Sequence, residues 1–276
     1  MTDLAGFSLN QQTIRQWSLP RLVEGCARAG VTAVGLWREP VREYGVAATA
    51  ALVRAAGLTV TSLCRGGFLT AADPAGRAAA LADNRAAIDE AATLGTRTLV
   101  LVCGGLPDGS RDLGAARERI GEALAHLAPY AAERSVRLAV EPLHPMYAAD
   151  RCVVSTLAQA LDLAERFPAD QVGVVVDTYH LWWDDTVAGQ IARAGAGGRI
   201  AAFQLADWVT PLPEGVLLGR GQLGDGSVDL RWFRGRVTAA GYSGPAEVEI
   251  FNPALWARDG AEVLAETIGR FRAHVL

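Results

Sequence analysis

The stretch VGVVVDTYH, residues 172–180, decides the reading of the fold. Four valines in five positions make a β-branched run without polar alternation. Such a run suits a strand covered on both faces, as strands of parallel sheets are. It ends on Asp177, and His180 follows three residues later. A carboxylate closing a wholly apolar strand is costly unless something there uses it.

Runs of the same kind recur outward from this one. They are GFSLN (6–10), VTAVGLW (31–37), TVTSLCR (59–65), RTLVLVCG (97–104), RLAVEPL (137–143), RIAAFQLAD (199–207) and AEVEIF (246–251). With 172–180 they make eight. Between them lie Ala-, Leu- and Arg-rich segments with helical spacing, several preceded by Asp, Ser or Thr and some ended by Gly. Strand and helix in alternation predict a parallel α/β sheet. Eight such units in 276 residues predict a single (β/α)8 TIM barrel occupying 1–276 as one domain. A doubly wound open sheet would need fewer strands or an extra domain, and neither a linker nor a break in composition is visible. The Gly- and Pro-rich connection 208–227, after the seventh run, is long enough to suggest a functional loop.

Composition narrows the chemistry. All 26 basic residues are arginine, so Schiff-base and pyridoxal chemistry, which need a lysine amine, are excluded. The formal net charge of −4, without a basic stripe, argues against a nucleic-acid partner. Cys26, Cys64, Cys103 and Cys152 are far apart and form no CxxC pair. No signal peptide and no run long enough to cross a bilayer is evident. A cytoplasmic protein with reduced thiols and no membrane association is expected.

The polar residues within the runs point to one end of the barrel. Glu141, Asp177, Gln204 and Glu249 each fall late in one of four consecutive strands. In barrels of this type that end carries the active site. Carboxylates crowded there repel one another and favour protonation unless a positive group lies among them. A divalent cation answers that need, and oxygen donors favour Mn2+ or Mg2+, with Co2+, Zn2+ and Fe2+ as alternatives. The competing reading makes these residues helix caps or arginine partners. Glu247 shares a face with Glu249, and by the same parity an inward Glu247–Arg137 pair is conceivable.

His144 and His180 each follow a proposed ligand by three residues and are expected to lean over the same mouth. Arg220, in the long loop, is a candidate for a substrate hydroxyl, carboxylate or phosphate. Trp37, Phe68, Trp182, Trp183, Trp208 and Phe251 fall at or beyond strand ends, placed to stack on a sugar ring or to roof the barrel. Arg38, Glu39, Cys64, Arg65 and Cys103 are weaker candidates for the pocket wall.

Taken together, EPLHP, DTYH, FQLADW, GRGQLGDGSVDL and GYSGPAEVEIF resemble the xylose isomerase-like barrels. More narrowly they resemble the sugar phosphate isomerase/epimerase group, with its ketose 3-epimerases and its inosose isomerase- and dehydratase-like members. The resemblance covers nearly the whole chain and is most specific from 137 to 251. It implies a divalent metal held by Glu141, Asp177, the position of Gln204, and Glu249, with His180 on the substrate and Arg220 a less secure match. Gln204 departs from the histidine usual at its position. A neutral amide oxygen is harder and weaker than imidazole, which tilts the site toward Mn2+ or Mg2+. The apurinic-site endonucleases of the same family need more histidines and a basic face than this chain has.

The function so implied is a metal-dependent isomerase or epimerase of a keto-sugar or cyclitol. Glu141 and Glu249 would move a proton α to a carbonyl through an enediolate, with His144 a further acid/base and Trp37 and Trp182 on the substrate. A lyase or dehydratase working by β-elimination, and a non-catalytic sugar-binding subunit, are the alternatives. The aromatic lead-in to the last helix leaves a homo-oligomer contact open.

Overall fold

A computed structural model describes residues 4, 6–213 and 216–276. Its first seven strands are β1 (Phe7–Asn10), β2 (Ala33–Trp37), β3 (Thr59–Gly67), β4 (Thr98–Val102), β5 (Arg137–Val140), β6 (Val172–Asp177) and β7 (Ile200–Leu205). Two short strands follow, β8 (Asp207–Trp208) and β9 (Arg220–Gly221), and then β10 (Ala246–Val248). Eight of them close a parallel barrel in the order β1-β10-β7-β6-β5-β4-β3-β2. The expected (β/α)8 barrel is what forms, and each predicted run holds one stave, β3 extending two residues beyond its run.

The β-branched runs are buried along their full length: every residue of β4 and β6 is buried. One large apolar cluster lies between strands and helices, while Cys64, Val100, Ala139, Val175 and Ala202 pack together in a separate small one. The helices begin where the sequence offers an oxygen cap. Asp73 accepts from Gly76 N–H, Asp112 from Ala115, Thr156 from Gln159 and Asp229 from Trp232.

Register levels the polar residues. Asp177 pairs with Gln204 across β6 and β7, and Gln204 pairs with Glu247 across β7 and β10. Glu249 therefore stands above Glu247, not level with Gln204. Parity holds for this pair, because residues two apart share a face.

The connection 208–227 is not shapeless. β8 and β9 form an antiparallel ribbon, pairing Trp208 with Arg220. Buried Asp207 ties the loop to the barrel. Its Oδ2 accepts the N–H groups of Gly224 and Gly226, both at 2.9 Å, and its Oδ1 accepts those of Trp208 at 2.8 Å and Val228 at 3.0 Å. Replacing Asp207 by Ala leaves four amides without their acceptor. The expected loss is about 3 kcal/mol, read from urea unfolding, with the loop the first segment to gain hydrogen exchange.

Candidate active site

The C-terminal mouth of the barrel encloses a chamber of about 200 Å3. Glu141, Glu249, His180, Arg220, Trp37 and Phe251 are among its walls. Glu141 follows β5 and Glu249 follows β10, each one residue past the strand. Asp177 closes β6 and caps the short helix Thr178–Leu181, its Oδ1 accepting from Tyr179 N–H at 2.8 Å. That helix carries His180 into the mouth.

Arg220 lies among the acids. Its Nη1 donates to Glu249 Oε2 at 3.0 Å and the Glu249 carbonyl at 3.1 Å, and stands 3.4 Å from Asp177 Oδ2. Its plane is flanked by the rings of Tyr179 and Phe251, at 4.9 and 4.8 Å. Thus one of the counter-charges the sequence calls for is a guanidinium of the chain itself. It is a single charge facing Glu141, Asp177 and Glu249 together.

The carboxylates feel that deficit. Burial, then Asp177 and Glu249, pushes Glu141 well above the usual carboxylate range. Burial also raises Asp177, against the pull of Arg220. Glu249 is pushed up to about 7 by burial, with Arg220 opposing and Asp177 and Glu247 adding to the shift. Arg220 is held charged by Asp177, Glu249 and Glu141 although burial works against it. His180 is driven well below its ordinary value by burial, then by Arg220 and His144, so its ring is neutral. Its Nδ1 lies 3.2 Å from the His144 amide, and its Nε2 lies 3.3 Å from Arg220 Nη2 and 3.8 Å from Asp177 Oδ2, so a donor faces each ring nitrogen.

Glu247 sits below this tier and is fully supplied with donors. Asn10 Nδ2 (2.8 Å) and Gln204 Nε2 (3.0 Å) donate to its Oε1, and Thr61 Oγ1 (2.5 Å) to its Oε2. Ser62 Oγ is within 3.0 Å of both oxygens. Gly35 makes room for it, since a Cβ there would lie 2.4 Å from the carboxyl carbon. The conceivable pair with Arg137 does not form. Arg137 Nη2 donates to the Gly198 carbonyl, and neutral donors satisfy Glu247 instead.

The Glu247 contact also orients Gln204. With its nitrogen committed, the amide oxygen is turned away, and Gln204 Oε1 is buried with no hydrogen-bond partner. A buried acceptor without a donor is uncommon and fits a cation. Glu141, Asp177 and His180 each bring one donor atom within 4.8 Å of the others, as do Cys64, Glu247 and Glu249. The group at Glu141 and Asp177 thus includes His180, which the sequence assigns to substrate. Surplus negative charge and an orphaned oxygen make the donor set suitable for a divalent ion.

Four expected site residues are absent from the chamber walls: Asp177 and Gln204, both fully buried, and His144 and Trp182. His144 stacks on Trp208 at 4.8 Å and meets Trp183 edge-on at 5.5 Å, while its Nδ1 accepts from Met146 N–H. Its ring is roofing, fixed by its own turn. Trp182 likewise packs on Trp208, at 5.5 Å. Trp37 does line the chamber, and its indole N–H is 3.2 Å from Glu249 Oε1. Sequence reasoning missed Arg151, a chamber wall on the turn after β5, and Asp207, the anchor of the Arg220 loop. For Asp207 the Gly-rich run GQLGDGS, full of free amides, was the available signal.

The chain belongs to the xylose isomerase-like TIM barrel family, which it matches over residues 23–267. The solved structure of protein SMc04130 from Sinorhizobium meliloti 1021 is 47% identical, with a TM-score of 0.95 over 99% of both chains. An inosose isomerase of Bacillus licheniformis is 27% identical over 146 residues, 52% of this chain and 50% of that protein. A 3-dehydroshikimate dehydratase of Pseudomonas aeruginosa is 34% identical over 164 residues, 58% of this chain and 24% of that enzyme. The chain is thus matched to half the length of one curated relative and a quarter of the other.

The raised carboxylates set a pH dependence. Glu249 binds its proton more tightly when folded, about 7 against an ordinary 4.5. Its contribution to stability is complete below the ordinary value and is lost as pH rises through the folded one. Glu141 and Asp177 act in the same direction, while His180 and His144, held below their ordinary value, act against it as pH rises toward that value. With chelator present, the melting temperature should fall as pH rises from about 4.5 to about 7, and Glu249→Gln should reduce the fall. A Glu249→Gln variant whose melting temperature follows pH as the wild type does over that window contradicts the assignment.

Proposed function

We propose that this protein is a divalent-metal-dependent isomerase or epimerase that shifts a proton next to the carbonyl of a keto-sugar or cyclitol. The observation that carries this reading is the pair Glu141 and Glu249, two buried acids on separate strands facing one small chamber. Glu141, Asp177, Gln204 and Glu249 would hold the ion, with His180 beside them. Mn2+ is the first choice, because the added donor is an amide oxygen and not an imidazole. When bound, the ion supplies Lewis-acid polarisation of the substrate carbonyl.

The remaining steps belong to side chains. Glu249, near 7, is suited to exchange protons at neutral pH. Trp37 and Arg220 hold its two oxygens from opposite sides and fix its direction. Glu249 takes the α proton, and Glu141 returns one from the other wall, which inverts or relocates the centre. Trp37 and Phe251, edge to face at 5.4 Å, give the substrate an apolar wall. His180 lines the chamber beside Arg220 and is placed to meet a substrate hydroxyl. His144 enters only through its backbone amide, 3.2 Å from His180 Nδ1.

A dehydratase is the second reading, favoured by the match to the 3-dehydroshikimate dehydratase. It uses the same α-proton abstraction and then expels a β-hydroxyl as water. The test is incubation with ketoses and keto-cyclitols plus Mn2+ in D2O, followed by mass spectrometry. Deuterium entering an otherwise unchanged mass supports isomerisation, and loss of water supports elimination. Glu249→Gln should cut exchange by about a thousandfold or more. Exchange at wild-type rates in that variant would overturn the scheme.

A further inference from the structure

We propose that Arg65 and Arg151 form an oxyanion subsite in the chamber wall, so that the substrate is an acid bearing a carboxylate or phosphate. The inference deepens the enolising reading and rests on it for the ketone alone.

The charge inventory is the starting point. Glu141 and Glu249 are the acids lining the chamber, and Arg65, Arg151 and Arg220 are the bases. Arg220 is committed to Glu249 and Asp177. Arg65, on β3, makes no side-chain hydrogen bond among the described residues and lies over the Phe68 ring at 4.4 Å. Arg151 approaches only the exposed Asp150, at 3.9 Å, beyond hydrogen-bond reach.

Other arginines show what a paired one looks like here. Arg38 spans Asp83 and Glu90, Arg166 grips Glu118 with both terminal nitrogens, and Arg193 bridges Asp162 and Glu165. Arg65 and Arg151, by contrast, have no hydrogen-bonded acidic partner among the described residues, although they stand in the wall of a chamber that Glu141 and Glu249 also line. Arg65 is also partly buried; burial lowers its proton affinity, Glu39 opposes that, and repulsion from Arg151 and Arg38 adds to it. A guanidinium in that position gains from an oxyanion ligand, which it can meet with two parallel N–H bonds. A neutral sugar would leave Arg151 without a hydrogen-bonded counter-charge and Arg65 with only Glu39, beyond ion-pair reach, and a divalent ion beside them would add to the excess.

The test compares binding of matched probes to the Mn2+-loaded protein by calorimetry. One pair is 3-dehydroshikimate and its methyl ester, the other D-fructose 1-phosphate and D-fructose. The anion of at least one pair should bind about 10–100-fold more tightly than its neutral partner. The pair that shows the gain names the oxyanion. In Arg65→Met/Arg151→Met the ratio should fall to within about threefold of unity. If the double variant does not fold, Arg151→Met alone, on a surface turn, should reduce the ratio. A wild-type ratio near one for both pairs, or a ratio the variants leave intact, overturns the proposal. Deuterium exchange on the same probes reads enolisation separately. Acid selectivity without exchange would therefore sink the proposed reaction and leave the subsite standing.

Discussion

Four buried carboxylates within one barrel mouth are the constraint on which the rest of the structure depends. Glu141, Asp177, Glu247 and Glu249 are each no more than 5% exposed. Taking a carboxylate out of water costs several kcal/mol unless it is paired or richly hydrogen-bonded. The chain solves the problem differently at each level. Glu247 receives neutral donors from three other staves and keeps a glycine beside it. Glu249 and Asp177 share Arg220. The Glu141 carboxylate accepts no hydrogen bond from a described side chain, and it carries the largest unmet demand for positive charge.

Gln204 joins these levels. Its nitrogen serves the Glu247 layer and its oxygen faces away from it. An amide can present either end to a neighbour, and only the contact with Glu247 decides which. That makes the buried acid below the site an orienting group, and the amide oxygen a defined donor. The Arg220 loop has a comparable dependence, because the guanidinium is held in place by a ribbon that Asp207 closes.

The eight staves were legible because a β-branched run buried on both faces needs no distant information to be recognised. So was the placement of Glu141, Asp177, Gln204 and Glu249 at one end, which follows from each falling late in its run. What could not be read depends on contacts across the barrel. Asn10, Thr61 and Ser62 reach Glu247 from strands far away in sequence, so parity suggested Arg137 as its partner and nothing local contradicted it. His144 looked like an acid/base by its spacing from Glu141. Its ring direction was settled by Trp208, which the long loop brings in from elsewhere. Arg220 was read as a substrate contact, yet it also supplies part of the charge that had been assigned wholly to a metal.

The central claim is that these acids leave room and need for a divalent ion even with Arg220 among them. Calorimetric titration of the metal-free protein with Mn2+, in two neutral buffers of different ionisation enthalpy, tests it most directly. The account predicts one ion per chain, a heat that changes with buffer because raised carboxylates release protons on binding, and a large loss of affinity in Glu141→Gln/Asp177→Asn. No binding, or binding that this double variant leaves unchanged, would contradict it.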